Sequence, residues 1–529
     1  MNKRIIIAVR LTTLMLALSI TVGASAQQEI ENRNQGEFVT HLRSCRIGRP
    51  NPKFSLRRSR LLQGSENKYI GNRRQLVIFA SFQDIDFKED RAATYQKWDK
   101  IFNAEHYTEH YTDGELIGSI HDYFMDQSYG QFSLTFDLHF VKLPDNRYKY
   151  RSTHSDDENS QYMVDDIVDV LQEQDIDWSL YDWDGDSFVD QLLIVYAGKG
   201  MGAGGDLSCI WPHQWWLSQH TNLETPNPND FRSYRTVVHG DKEYYVDCYC
   251  CVMEYADTED WKSSFSTICH EYSHCFGFPD IYCGGSSVVG YWDLMDSGNL
   301  IAQGFRPCNY SAHERMLMGW LTPVELNSTT TITDMPSLDA EAVAYLIRND
   351  GAENEFYMVE NRQQRGWDEF LPGSGIVVFH IDYDESLWLS TTEYVNGKKK
   401  RYWIIPANNM TSIKRSDAWT YPYVAKDVLG NDSLANDSLT NFSAPSAMLN
   451  NPNLDGTLLM SKPITRMSVD ANGCASFVFT EETTTSVHDV LIHQEPLIHA
   501  DPMYDLQGRR LSVPAKGLYI QGNKLRLKK

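Results

Sequence analysis

The stretch Thr267-Ile268-Cys269-His270-Glu271-Tyr272-Ser273-His274-Cys275-Phe276-Gly277-Phe278-Pro279-Asp280 decides how the rest of the chain is read. At about 100° per residue on a helix, Phe265, Ile268, Tyr272, Cys275 and Phe276 gather on one side. His270 and His274 then project from the other. An apolar back packs into a core and holds the polar front still. Two imidazoles four residues apart share one helix face and suit a single Zn2+ ion. Glu271 follows His270 directly, so it cannot easily grip the same ion. It is better placed as a general base and later a proton donor. Zinc lowers the pKa of water to about 7 and polarises a carbonyl, which is why the pattern needs two histidines and one glutamate.

Beyond His274 the pattern extends. Gly277 falls where the helix must end and turn, a position suited to positive φ, and Pro279 stops the helix from continuing. Asp280 lies ten residues after His270, where the third ligand arrives in the HExxHxxGxxH pattern, and a carboxylate oxygen is an ordinary zinc ligand. Further on, Trp292-Asp293-Leu294-Met295-Asp296-Ser297-Gly298 places Met295 as a methionine turn beneath the metal.

Working outward, residues 76–82 and 191–197 read as buried strands, and residues 162–172 as an amphipathic helix with Met163, Ile167, Val170 and Leu171 inward. Helix and strand signals mix up to about Trp320. After residue 323 come short β-type runs at 329–333, 342–348, 355–360, 375–382 and 402–405, a spacing that suggests a sandwich. The expected fold class is α+β: a catalytic domain over 75–325, then an all-β sandwich-like domain over 326–482. Residues 431–440 (NDSLANDSLT) read as a surface loop.

The ends carry other signals. Lys3, Arg4 and Arg10, an apolar stretch over 11–22 and Ala24-Ser25-Ala26 describe a secretory signal peptide over 1–26. Twelve apolar residues are short for a span of about 20, so no transmembrane segment is expected. Residues 27–74 form a basic, propeptide-like segment, with Arg57-Arg58 and Arg73-Arg74 as candidate processing points. Within it, Cys45 is a candidate latency switch that would cap the metal as a thiolate, although a disulfide role competes with that. A linker and tail occupy 483–529.

The net charge of −23 argues against nucleic acid as a partner, because phosphate binding needs basic surface. Asp182, Asp184, Asp186 and Asp190, alternating around Gly185, are the best calcium candidates, competing with a simple solvated acidic turn. Of the ten cysteines, seven lie between 248 and 308. Cys248, Cys250 and Cys251 lack the paired spacing of a structural zinc site, so buried thiols or disulfide partners are expected. His213 and His380 have no ligand spacing and read as structural.

The run HEYSHCFGFPDIY followed by YWDLMDSG resembles the immune inhibitor A family of secreted bacterial metallopeptidases. The likeness continues through Tyr310-Ser311-Ala312-His313-Glu314-Arg315, Tyr357-Met358-Val359-Glu360-Asn361-Arg362 and residues 375–382. The resemblance implies a zincin- or metzincin-like catalytic fold, His270 and His274 as zinc ligands, Glu271 as base and Asp280 as third ligand. Cys269 and Cys275 depart from the pattern without touching the ligands. The tail, with its YDLQGRRL core and lysine-rich end, resembles Bacteroidetes-type C-terminal sorting tails. That likeness implies type IX export machinery as a partner and possible surface attachment.

The expectation is therefore a secreted zinc endopeptidase acting on proteins or peptides. The alternatives are a surface adhesin or carbohydrate-binding protein with a vestigial metal site, and a zinc hydrolase of non-peptide substrates. Tyr310, Tyr282 and Tyr291 are equally arguable as stabilisers of a transition state.

Overall fold

A computed structural model describes residues 67–481, apart from 112–113, 152–158, 202–207, 220–233, 256–263, 285, 391–392, 410–421 and 424–435. It also describes the backbone of four strands between 503 and 528. Cys45, the segment before residue 67 and the linker at 483 lie outside the described residues.

The inner strands of the first sheet are apolar on both faces. β1 (Gly71–Ser81) lies between β2 (Phe132–Lys142), at one edge, and β3 (Leu192–Lys199), the central strand. Beyond β3 the sheet continues to β5 (Cys248–Tyr255) and ends at β4 (His213–Trp216), giving the order β2-β1-β3-β5-β4. Neighbours run parallel except β4, which is antiparallel to β5. Successive strand residues point to opposite faces. Val77, Phe79, Leu193, Val195, Cys248, Cys250 and Val252 therefore face one core, and Leu76, Ile78, Ile194, Tyr196, Tyr249 and Cys251 the other.

Helices cover both faces. α1 (Arg91–Asn103), α2 (Ile120–Gln127) and α4 (Phe265–Cys275) bury Trp98, Phe102, Tyr123, Phe124, Ile268 and Tyr272 in the first core. α3 (Ser160–Gln172) closes the second core with Met163, Ile167, Val168 and Leu171. Local signals set the helix starts. Asp90 accepts from the backbone N–H groups of Ala92 and Ala93, and Ser119 forms a capping box with Asp122. α5 (Ala312–Met318) opens with a second capping box, between Ser311 and Glu314.

The later part is β-rich. Strands β6 (Val324–Glu325), β8 (Tyr345–Asn349), β9 (Ala352–Arg362), β10 (Gly375–Asp382) and β11 (Tyr402–Ile404) form one sheet in that order. A smaller sheet runs β7 (Thr330–Met335), β13 (Ala475–Phe479), β12 (Ile464–Val469). Ile347, Tyr357, Val359, Ile376 and Val378 pack against Ile332, Met467 and Phe477 between these two sheets. The opposite face of the larger sheet, with Leu346, Phe356, Met358, Val377 and Phe379, belongs to the core that contains α4. All eight residues of β10 are buried.

The described residues up to 481, except 454–457, make one compact unit. The tail belongs to a second unit, in which Met503–Tyr504, Arg510–Leu511, Gly517–Gln521 and Lys524–Lys528 pair as an antiparallel sheet. Arg73 and Arg74 lie inside β1, paired with Leu134 and Thr135 of β2. A cut between them would detach the first residues of β1 from its edge neighbour β2.

Candidate metal centre

α4 ends as its sequence dictates. The N–H of Gly277 donates to the carbonyl oxygen of His274 at 2.8 Å, with Gly277 at φ 87°. The reversal carries the chain back so that Asp280 faces the helix it has just left. His270, Glu271, His274 and Asp280 are all buried, at 1–3% exposure.

The two imidazoles are oriented from behind. Nδ1 of His270 lies 2.8 Å from the carbonyl oxygen of Leu294, and Nδ1 of His274 lies 2.7 Å from that of Phe278. A carbonyl oxygen only accepts, so each Nδ1 carries the proton and each Nε2 presents a lone pair. Asp280 Oδ1 stands 3.3 Å from His270 Nε2 and 3.4 Å from His274 Nε2. A tetrahedral ion with arms of about 2.0–2.1 Å has edges of roughly 3.3–3.4 Å, so the spacing fits Zn2+. Neither Asp280 Oδ1 nor His274 Nε2 has a hydrogen-bond partner, although both are buried. Such atoms are costly to bury unless something else engages them. Burial works to raise the Asp280 carboxyl, but nearby His274 and His270 outweigh it and hold it below its ordinary value. Glu271 lies with both histidines in a group whose ligand atoms fall within 4.8 Å of one another.

The floor of the site is the turn Leu294–Gly298, with Met295 buried in the core. Asp293 Oδ1 accepts from the N–H of Met295 at 2.7 Å. Asp296 Oδ2 accepts from Val288 and Val289, both at 2.7 Å. Burial pushes the Asp293 carboxyl up to about 6, against the pull of Tyr402 and the Met295 N–H.

Of the three tyrosines singled out, Tyr282 donates its hydroxyl to Asp280 Oδ2 at 2.8 Å. The Tyr310 hydroxyl instead makes a short contact with Ser273 Oγ inside the core. Tyr291 is half-buried. The backbone acceptors at Leu294 and Phe278 were invisible in sequence, because a carbonyl has no residue identity.

The acidic turn is split. Asp182, Asp184 and Asp190 group together, whereas Asp186 turns away and accepts from the N–H of Phe188 at 2.9 Å. Buried Lys68 reaches into the group, pairing with Asp190 and standing 3.8 Å from Asp184. His213 meets Ser160, Tyr249 and the carbonyl of Trp211, and His380 bonds Glu355. Among the described residues no two cysteines are joined by a disulfide, and Cys248 Sγ lies 4.0 Å from Cys275 Sγ.

Residues 65–319 match the family described as immune inhibitor A peptidase M6, catalytic domain. The matched region contains α4, Asp280 and the Met295 turn. Immune inhibitor A of Bacillus thuringiensis subsp. alesti is 24% identical over 295 residues, which is 48% of this chain and 41% of that relative. The chain thus spans less than half the length of the relative it matches. The matched region ends just after α5, and the two β-rich sheets lie beyond it.

Proposed function

We propose that the chain is an exported zinc-dependent endopeptidase that hydrolyses peptide bonds in proteins. One observation carries the reading: two proton-fixed imidazoles and the Asp280 carboxylate converge at tetrahedral spacing, with Glu271 beside them. Zinc held there supplies Lewis acidity, both to activate water and to polarise a carbonyl. The chain's own part is to hold the ligands and move the proton. Glu271 takes a proton from water and delivers it to the leaving amine. Similarity of residues 65–319 to a peptidase catalytic domain supports a peptide substrate.

The catalytic centre is assigned to residues 75–325 within a zincin-like fold, with 326–482 as the β-rich partner. Residues 1–26 are assigned as signal, with 27–74 as a propeptide-like segment and the tail at 483–529 engaging export machinery. Among the described residues no helix is long and apolar enough to cross a membrane. Calcium is a secondary assignment to Asp182, Asp184 and Asp190, where it competes with the Lys68 ammonium.

The test is hydrolysis of unfolded casein by residues 27–529, before and after limited trypsin treatment, with zinc content measured alongside. Cleavage that is lost in Glu271→Ala, while zinc stays bound, supports the reading. Stoichiometric zinc with no cleavage of any protein substrate overturns it.

A further inference from the structure

The segment presenting the third ligand, residues 280–282, is gripped from three directions. The Tyr282 hydroxyl holds Asp280 Oδ2 at 2.8 Å. The N–H of Ile281 donates to the carbonyl oxygen of Met295 at 2.9 Å, tying the segment to the turn below the histidines. The third grip comes from far along the chain: Asn396 Nδ2 donates to the carbonyl oxygen of Ile281 at 3.0 Å. Tyr282 and Met295 fall within the M6-type match, and Asn396 lies 77 residues past its end at 319 (396 − 319).

Asn396 is itself fixed on both sides. Its Oδ1 accepts from the N–H groups of Arg401, at 2.9 Å, and Tyr402, at 3.0 Å. Tyr402 opens β11, the last strand of the larger β-rich sheet. Its hydroxyl stands 2.8 Å from Asp293 Oδ2, the carboxylate that caps the Met295 turn. Arg362 of β9, fully buried, adds a contact to the carbonyl of Trp292 at 3.4 Å. The β-rich region therefore meets both loops of the metal centre through buried, directed hydrogen bonds. An apolar interface would need no such aim. Outer-shell partners of this kind orient metal ligands and tune affinity.

We propose that the β-rich region completes the metal centre, with Asn396 as a positioning residue that holds Asp280 on the ion through the Ile281 carbonyl. The inference rests on the zinc reading above and assigns the β-rich sheets a part in it.

The test measures zinc affinity of the full chain by competition with a chromogenic chelator, and the unfolding temperature of the zinc-free protein. Asn396→Asp keeps the acceptor for Arg401 and Tyr402 but replaces the donor to Ile281 with an oxygen. Tyr402→Phe removes only a hydroxyl, and Asp280→Ala marks the affinity of a site without its third ligand. Zinc affinity of Asn396→Asp should fall about tenfold or more, toward that of Asp280→Ala, with Tyr402→Phe following in the same direction. The zinc-free unfolding temperature of Tyr402→Phe should move far less. If Asn396→Asp does not fold, Asn396→Ala carries the same comparison. Variants that unfold earlier yet bind zinc like the parent overturn the proposal and leave the zinc reading standing. A parent chain that binds no zinc removes both.

Discussion

Nδ1 of His274 donates to the carbonyl oxygen of Phe278, so one proposed zinc ligand is held by the turn that ends its own helix. The turn depends on Gly277 at φ 87°. A side chain there meets the left-handed penalty, roughly 1–2 kcal/mol. Gly277→Ala should therefore bind zinc more weakly than the parent while retaining the bulk of its secondary structure. Chelator competition and circular dichroism check the two halves of that statement.

Glu271 is assigned the proton and no share of the metal. Glu271→Gln should keep one zinc per chain and lose about 10²–10⁴-fold in kcat, the usual size of a general-base contribution. Metal content by mass spectrometry alongside steady-state kinetics separates this outcome from a ligand role, in which zinc would be lost as well.

Burial pushes the thiols of Cys269, Cys275 and Cys308 well above their ordinary range. Thiolate is the reactive form, so these groups should resist alkylation in the native protein. Iodoacetamide labelling read by peptide mapping should reach the partly exposed Cys283 and Cys474 first. The buried thiols should react only after unfolding in urea.

Glu355 accepts from His380 at 2.7 Å and from the backbone N–H of Asn450 and Asn451. Burial works to raise its carboxyl, but His380 and the Asn450 N–H pull harder and bring it down to about 2. A depressed carboxylate stabilises above its unfolded value of 4.5 and loses that contribution as pH falls toward 2. The contribution is on the order of 3 kcal/mol at neutral pH. Glu355→Gln should unfold more easily at pH 7 and show a flatter pH dependence between 4.5 and 2 in denaturant titrations.

Lys68 and Asp190 are a buried pair, and removing one partner of such a pair costs about 3–5 kcal/mol. Lys68→Ala should melt well below the parent in chelator. Under the calcium assignment, millimolar calcium restores part of the loss by replacing the missing cation. A melting temperature indifferent to calcium makes the cluster an ion-pair nest and nothing more.

Sequence made the metal helix legible because two periodicities coincide in it, an apolar one for the core and a polar one for the ion. Asp280 was legible by count alone. β10 was legible as a short β-type run, and its bounds at 375 and 382 are those expected. Asp186 stands outside the group of Asp182, Asp184 and Asp190, since alternation along a turn does not keep side chains on one side as it does along a strand. Gly185, at φ 76°, reverses the chain there. Asn396 gave no signal, since its partner Ile281 lies 115 residues earlier and the bond is to backbone. Long-range hydrogen bonds to carbonyls are the part of a site that a linear reading does not reach.

The larger β-rich sheet has no wet face, and this bears on anyone wishing to shorten the chain. A fragment cut to residues 65–319 would keep every ligand, yet it would display a raw apolar wall where Leu346, Phe356, Met358, Val377 and Phe379 had been seated. Such walls recruit one another, and the fragment would be expected to precipitate before it could be assayed. Removing only the three-stranded sheet would bare Ile347, Tyr357, Val359, Ile376 and Val378 instead, so either cut has to recolour the exposed wall with polar side chains first.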